Sequence, residues 1–306
     1  MKHTLKITFL LLFIFFITQV TGLAIVGKYV HVEEHIDPET NLAVKEVVSE
    51  DLPYNLERPQ IEQSSSYIWI MAAVLIGTAL LLILIRLGKI GWWFWKLWFF
   101  LAVFFTMAIA FSAFIQQNIA ALLAFILAIM KVYKPTPIIQ NFTEVFIYGG
   151  LAAIFVPVIN IFAAFMLLII ISVYDVIAVR RTKHMVTLAK FQAKTNVFAG
   201  LFLPYNKGAV SPQPKGILHD KEKGRIAVLG GGDIGFPLLF AGVVLKELML
   251  ESAFPLGFLK SMIVPVFATI ALSYLLVKGE KDKFYPAMPY ISAGCFLGYL
   301  IVFMLV

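Results

Sequence analysis

The chain is 306 residues long, 60% hydrophobic and only 14% charged, with a mean hydropathy of +0.89. A soluble domain is roughly half apolar and a quarter charged, so this composition excludes one and makes lipid the solvent for most of the chain. The net charge of +7 does not point to nucleic acid, because the basic residues sit between apolar runs, where they orient a membrane protein.

A bilayer core of ~30 Å asks for about 20 apolar residues per helix. In chain order, about nine segments meet that standard: 5–26, 67–86, 92–115, 118–133, 142–156, 157–179, 226–246, 255–277 and 284–306. The first has a basic start and ends in Gly22-Leu23-Ala24, so it also reads as a signal peptide; on either reading the chain after it is exported. Loop 27–66 is acidic and proline-interrupted, and is expected to be partly ordered at best. Residues 142–179 are too long for one crossing and break at Pro157. Within 181–225, Met185, Leu188, Ala189 and Phe191 recur at helical spacing against Lys183, Lys190 and Lys194, which predicts a basic amphipathic helix on the membrane surface. A turn-rich linker through Pro204, Gly208, Pro212, Pro214, Gly216 and Gly224 follows.

The expected fold class is therefore all-α, a polytopic transmembrane helical bundle. It divides into a six-helix part (1–180), a cytoplasmic basic loop (181–225) and a three-helix part (226–306). Lys2, Lys6, Arg86, Lys89, Lys131, Lys134, the 180–225 loop, Lys278, Lys281 and Lys283 fall on one side of that topology. By the positive-inside rule that side is the cytoplasm. Glu33, Glu34, Asp37, Glu39, Glu46, Glu50, Asp51, Glu57, Glu62, Glu247 and Glu251 fall on the other, so the N-terminus is expected inside and the C-terminus outside.

Hydrolysis inside a membrane needs particular side chains. A zinc-binding helix would carry His-Glu-x-x-His, yet His3, His31, His35, His184 and His219 lie outside the spans or near their ends. The same lack leaves a serine, or the single cysteine Cys295, without a base, and one cysteine allows no disulfide or metal cluster. No metal or cofactor is expected. Carboxylates remain.

Asp175 in the sixth segment and Asp233 in the seventh each cost roughly 2.5–3.5 kcal/mol if unpaired near mid-membrane. Measured from Arg180 and Arg225, they are expected roughly 8 and 12 Å beneath the same face. Consecutive helices are natural antiparallel neighbours, so the two side chains can meet. At ~4 Å and an effective dielectric near 20, two ionised carboxylates repel by on the order of 4 kcal/mol, so one proton would be shared. Such a pair activates water with one carboxylate while the protonated partner donates to a scissile carbonyl; it titrates as one unit, and which aspartate starts as base stays open.

The neighbouring residues suit that chemistry. Gly230-Gly231-Gly232 before Asp233 permits close approach of another backbone, although glycines alone also read as a helix-packing patch. Pro237 has no N–H for the Asp233 carbonyl, which opens the helix beside a cavity. Tyr174 either orients a carboxylate or simply packs. In Pro286-Ala287-Met288-Pro289, Pro286 lacks a donor and Pro289 frees the Tyr285 carbonyl; the run is either an ordinary helix start or an edge for an extended substrate segment.

Tyr174-Asp175, Gly230-Gly231-Gly232-Asp233 and Pro286-Ala287-Met288 resemble the Tyr-Asp, Gly-x-Gly-Asp and Pro-Ala-Leu motifs that the presenilin and signal peptide peptidase family carries on its sixth, seventh and ninth helices. The likeness covers nearly the whole chain, with Met288 standing where the family has leucine. It implies an intramembrane aspartyl endopeptidase with Asp175 and Asp233 as catalytic pair. Tyr174, Gly230, Gly232, Pro286, Ala287 and Met288 would shape the site and position substrate. The length resembles archaeal presenilin-like homologues of a prokaryotic cell membrane. The partners it implies are the lipid bilayer and transmembrane protein substrates, with accessory subunits and oligomeric state open. Two rival readings are a prepilin-type aspartyl peptidase, which also carries Gly-x-Gly-Asp, and a proton-coupled transporter, which pairs membrane carboxylates with broken helices. A purely structural role for the two aspartates is the third.

Overall fold

Long runs of Leu, Ile, Phe and Ala fold as helices here because, in lipid, every backbone N–H must find a carbonyl within its own segment. The computed structural model describes residues 4–36, 43–179, 197–204, 226–279 and 285–305. Its helices, in chain order, are α1 (Leu5–Tyr29), α2 (Ser66–Arg86), α3 (Lys89–Ser112), α4 (Gln117–Tyr133), α5 (Pro137–Phe155), α6 (Ile161–Ile177), α7 (Gly231–Glu251), α8 (Phe254–Ser261), α9 (Ile263–Lys278) and α10 (Met288–Met304). By length and composition α1, α2, α3, α5 and the continuous α8–α9 rod are apolar enough to cross a membrane, and α4, α6 and α10 are shorter apolar helices. The mostly helical, polytopic bundle expected from composition is what forms.

The centre of the bundle is α7. Ile234, Leu238, Ala241, Val243 and Leu245 are fully buried along it, and α1, α5, α6 and α10 pack around it. Gln19 Nε2 of α1 donates to the Ile234 carbonyl at 2.9 Å, Gly22 lies against Leu238, and Gly27 lies against Phe254 just beyond α7. These contacts climb both chains in the same direction, so α1 and α7 are parallel. The first segment, readable from sequence as a leader, is a wall of the core: Phe15, Leu23, Ile25 and Val26 are all fully buried. The Gly150 Cα of α5 sits so close to the Thr106 carbonyl of α3 that any side chain there would strike it, the close approach small residues give membrane helices.

Three sequence expectations need correction. Residues 226–246 are not one helix: Ile226–Gly230 is a strand, β4, paired antiparallel with β3 (Gly200–Pro204) in the register Gly200↔Gly230 to Pro204↔Ile226. A five-residue apolar run such as Ile-Ala-Val-Leu-Gly has no period that separates strand from helix, and β3 was not foreseen at all. Gly200, at φ +139, adopts a backbone conformation that favours glycine. Loop 27–66 is better ordered than its composition suggests. The strands β1 (Val30–Ile36) and β2 (Ala43–Ser49) form an antiparallel hairpin, followed by a short 3₁₀ turn at Pro53–Asn55. Residues 255–277 form the single span-length segment expected, with only a one-residue interruption at Met262. The last helix begins at Met288 and not at 284.

The break at Pro157 occurs as expected, with a 3₁₀ turn over Val156–Val158. Asn160 then caps α6 by accepting the Ala163 N–H at 2.8 Å, the usual reward of asparagine at an N-cap. The amphipathic helix expected around 183–194 lies outside the described residues.

Candidate active site

Asp175 lies in the last turn of α6 and is 8% exposed. Its Oδ2 accepts the Met288 N–H at 3.1 Å, and the Ala287 amide is turned toward the same carboxyl. Met288 opens α10, where the first N–H groups have no partner inside the helix. A carboxylate supplied by another helix therefore satisfies one of them and sits at the positive end of the helix dipole. Four residues further along α10, the Ser292 and Ser172 hydroxyls are 2.9 Å apart, so α6 and α10 are joined antiparallel by two polar contacts.

Pro286 explains why α10 starts where it does. A residue before proline is pushed out of the helical region, so Tyr285 resists extending the helix backward. Pro286, Ala287 and Met288 are all buried. Pro289 falls in the first turn, where its missing N–H would have been unpaired in any case. Pro289 offers no N–H to the Tyr285 carbonyl, as expected, and its place in the first turn fits the ordinary proline start that was one of the two sequence readings. The exposed backbone group of consequence is the Met288 N–H, and Asp175 takes it.

Asp233 is the third residue of α7. It was expected roughly 12 Å into a helix; with Ile226–Gly230 in a strand, it stands instead in the first turn, near the positive dipole end. Its Oδ2 lies 3.4 Å from where a Cβ on Gly230 would stand, so the missing side chain at 230 gives the carboxylate room to fold back over the helix start. Around Gly232 the nearest atom to such a Cβ is in Phe236 at 3.5 Å, an ordinary contact, and Gly232 is exposed. Nothing in the packing demands glycine there. Pro237 is inside α7 as expected, and the neighbouring Ile234 carbonyl is the one that Gln19 reaches.

The relative height of the two aspartates follows from contacts elsewhere on their helices. Lys246 Nζ of α7 donates to the Ile159 carbonyl at 2.6 Å, and Phe240 meets Phe165 of α6 edge-on with centroids 5.0 Å apart. As one helix number falls the other rises, so α6 and α7 are antiparallel. Carrying that register onward sets Asp175 opposite Gly230. Asp233 is three residues deeper in α7, an axial offset of ~4.5 Å, less than one turn.

Several polar residues near this end escaped the sequence reading. Lys131, expected as a loop charge, is 1% exposed and pairs with Glu144 of α5, also 1% exposed, at 2.7 Å. Gln140 Nε2 donates to Glu144 Oε1 and to the Phe198 and Gly200 carbonyls, each at 2.9 Å, which fastens β3 to α5. Tyr148, one turn beyond Glu144, lies against Gly231. Tyr174 is half-buried and packs against the main core. A separate apolar groove of ≈ 470 Å³ runs between α9 and α10 past Pro289, Tyr290 and Gly294. Among the described residues no cluster of three or more His, Cys, Asp or Glu side chains suited to a metal occurs.

Fold and site define a polytopic helical membrane protein that carries two acidic side chains at one end of adjoining helices. Residues 40–306 match the family described as signal-peptide peptidase, presenilin aspartyl protease, and the chain belongs to that family. It is accordingly an intramembrane aspartyl protease. Two crystal forms, C222 and P2, of a presenilin family intramembrane aspartate protease share its fold, with TM-scores of 0.59 and 0.58, 18% identity, and 97% of each chain covered. No curated protein matches in sequence.

Proposed function

We propose that Asp175 and Asp233 are the catalytic pair, acting on peptide bonds in transmembrane segments of substrate proteins. The observation that carries this is the antiparallel α6–α7 register, whose continuation brings positions 175 and 233 to within about one helical turn of each other in height. At contact distance the pair holds one proton between them. The ionised member takes a proton from water as the oxygen attacks the scissile carbonyl carbon. The protonated member donates to the carbonyl oxygen, and no covalent intermediate forms. Pro286, Ala287 and Met288 hold Asp175 by presenting the Met288 N–H. Gly230 accommodates Asp233, the open face of Gly232 admits the substrate backbone, and Tyr174 packs behind Asp175.

The membrane setting follows from the family and the apolar helices. Nine spans with the N-terminus inside a prokaryotic cell membrane, archaeal by resemblance, would favour substrates whose helix has its N-terminus outside. A transporter reading is disfavoured by family membership, and so is a prepilin-type peptidase.

The test is cleavage of a single-span peptide by purified protein in detergent, with and without a hydroxyl-containing peptide isostere of the tetrahedral intermediate. Asp175→Ala and Asp233→Ala are each expected to abolish cleavage while chromatographic behaviour and thermal unfolding stay close to the parent. Substantial turnover by either variant would remove the pair from the mechanism.

A further inference from the structure

Tyr148 of α5 is 5% exposed, and among the described residues its hydroxyl has no hydrogen-bond partner. Buried hydroxyls are nearly always paired, and one that is not calls for an explanation. Glu144, one turn earlier, is close enough to act on it electrostatically, as is Asp233. Glu144 Oε1 is already engaged by Lys131 and Gln140, and although the Glu144 carboxyl comes within marginal reach of the Tyr148 hydroxyl, the two do not meet in hydrogen-bond geometry. The hydroxyl instead stands 2.5 Å from where a Cβ on Gly231 would be, and the ring edge is 3.5 Å from the corresponding point on Gly235. The tyrosine thus lies along the first turn of α7, which carries Asp233, with its oxygen filling the space of the missing Gly231 side chain.

We infer that Tyr148 is a positioning residue for Asp233: its hydroxyl, wedged on Gly231, fixes the first turn of α7 and supplies a hydrogen-bond donor to the Asp233 side of the site when substrate is bound. This rests on the assignment of Asp233 to the catalytic pair. It also gives the middle residue of Gly230-Gly231-Gly232 a role of its own. Glycine is needed there because the tyrosine oxygen occupies the side-chain volume.

A mutant cycle on the full-length protein tests this with the single-span peptide as substrate. Tyr148→Phe removes one oxygen that has no partner in the structure, so the unfolding temperature should stay within a degree or two of the parent. The expected result is a fall in kcat of about tenfold with KM within about twofold, because the loss falls on the reacting complex. Gly231→Ala drives its methyl group into the hydroxyl and should lower kcat by a similar factor. In the Tyr148→Phe background the same Gly231→Ala change should cost less than about threefold, since the atom it strikes is gone; neighbours that act through one contact are not additive. Parent-like kcat for Tyr148→Phe would show that only the ring matters and overturn the inference, as would strictly multiplicative losses in the cycle. Asp233→Ala run alongside separates the two levels: if it is inactive while Tyr148→Phe is parent-like, the pair stands and the tyrosine role falls; if it stays active, both fall.

Discussion

Lys131 and Glu144 meet at 2.7 Å with each side chain 1% exposed, and around them Thr143 accepts from the lysine at 3.0 Å while Gln140 donates to the glutamate. Two charges this deep are tolerable only because each is neutralised and hydrogen-bonded by the other. Replacing Lys131 by Met leaves the glutamate charge buried with an amide as its main partner, and should destabilise the protein by roughly 3–5 kcal/mol. The double change Lys131→Met with Glu144→Gln removes both charges and should recover most of that loss. Thermal unfolding of the three variants in one detergent decides it, and an additive double variant would count against the pair. Residues of this kind were the hardest to read from sequence. Asp175 and Asp233 stood out because a carboxylate inside an apolar run is costly wherever it is placed. Lys131 sits at the end of such a run, where a lysine reads equally well as a solvated loop charge. Tyr148 was invisible, since one aromatic among many in a lipid-rich chain has no signature until its oxygen is seen without a partner.

At the scale of elements, helix existence was legible and helix beginnings were not. Span lengths of apolar residues located α1 to α6, and Pro157 located the break before α6, because lipid leaves the backbone few alternatives to a helix. The start of α7 was misplaced by five residues because Ile226–Gly230 pairs with β3, a partner far away in sequence that periodicity cannot report. The start of α10 depends on Pro286, and this yields a test. With alanine at 286, Tyr285 is released from the restriction that proline imposes, and the helix can begin earlier. The Met288 N–H would then turn to a carbonyl four residues back and leave Asp175. Pro286→Ala is therefore expected to lower kcat about tenfold or more, with the protein folded and peptide binding largely kept. An unchanged rate and cleavage site would separate the proline from any part in holding Asp175.

For the whole molecule, the contacts along the central helix fix which structures share an end of the bundle. Because α1 runs parallel to α7 and α6 runs antiparallel to it, the start of α1, the end of α6 and the start of α7 all lie at one end, together with Asp175 and Asp233. The β1–β2 hairpin continues from the end of α1 and so lies at the opposite end, with Glu247 and Glu251 in the last turns of α7. Charge follows the same division, which is why orientation could be argued from sequence: Lys6 is at the aspartate end and the Glu33, Glu34 and Glu46 cluster is on the hairpin. Basic residues stay in the cytoplasm, so the aspartate end should open to the cell interior. The check uses single cysteines in a background in which the buried Cys295 is replaced by alanine. Glu33→Cys on the exposed face of the hairpin should react with a membrane-impermeant maleimide in intact cells, whereas Arg86→Cys, exposed at the end of α2, should react only after the cells are opened. The reverse pattern would invert the bundle and, with it, the direction in which a substrate helix must enter for its scissile bond to reach the two carboxylates.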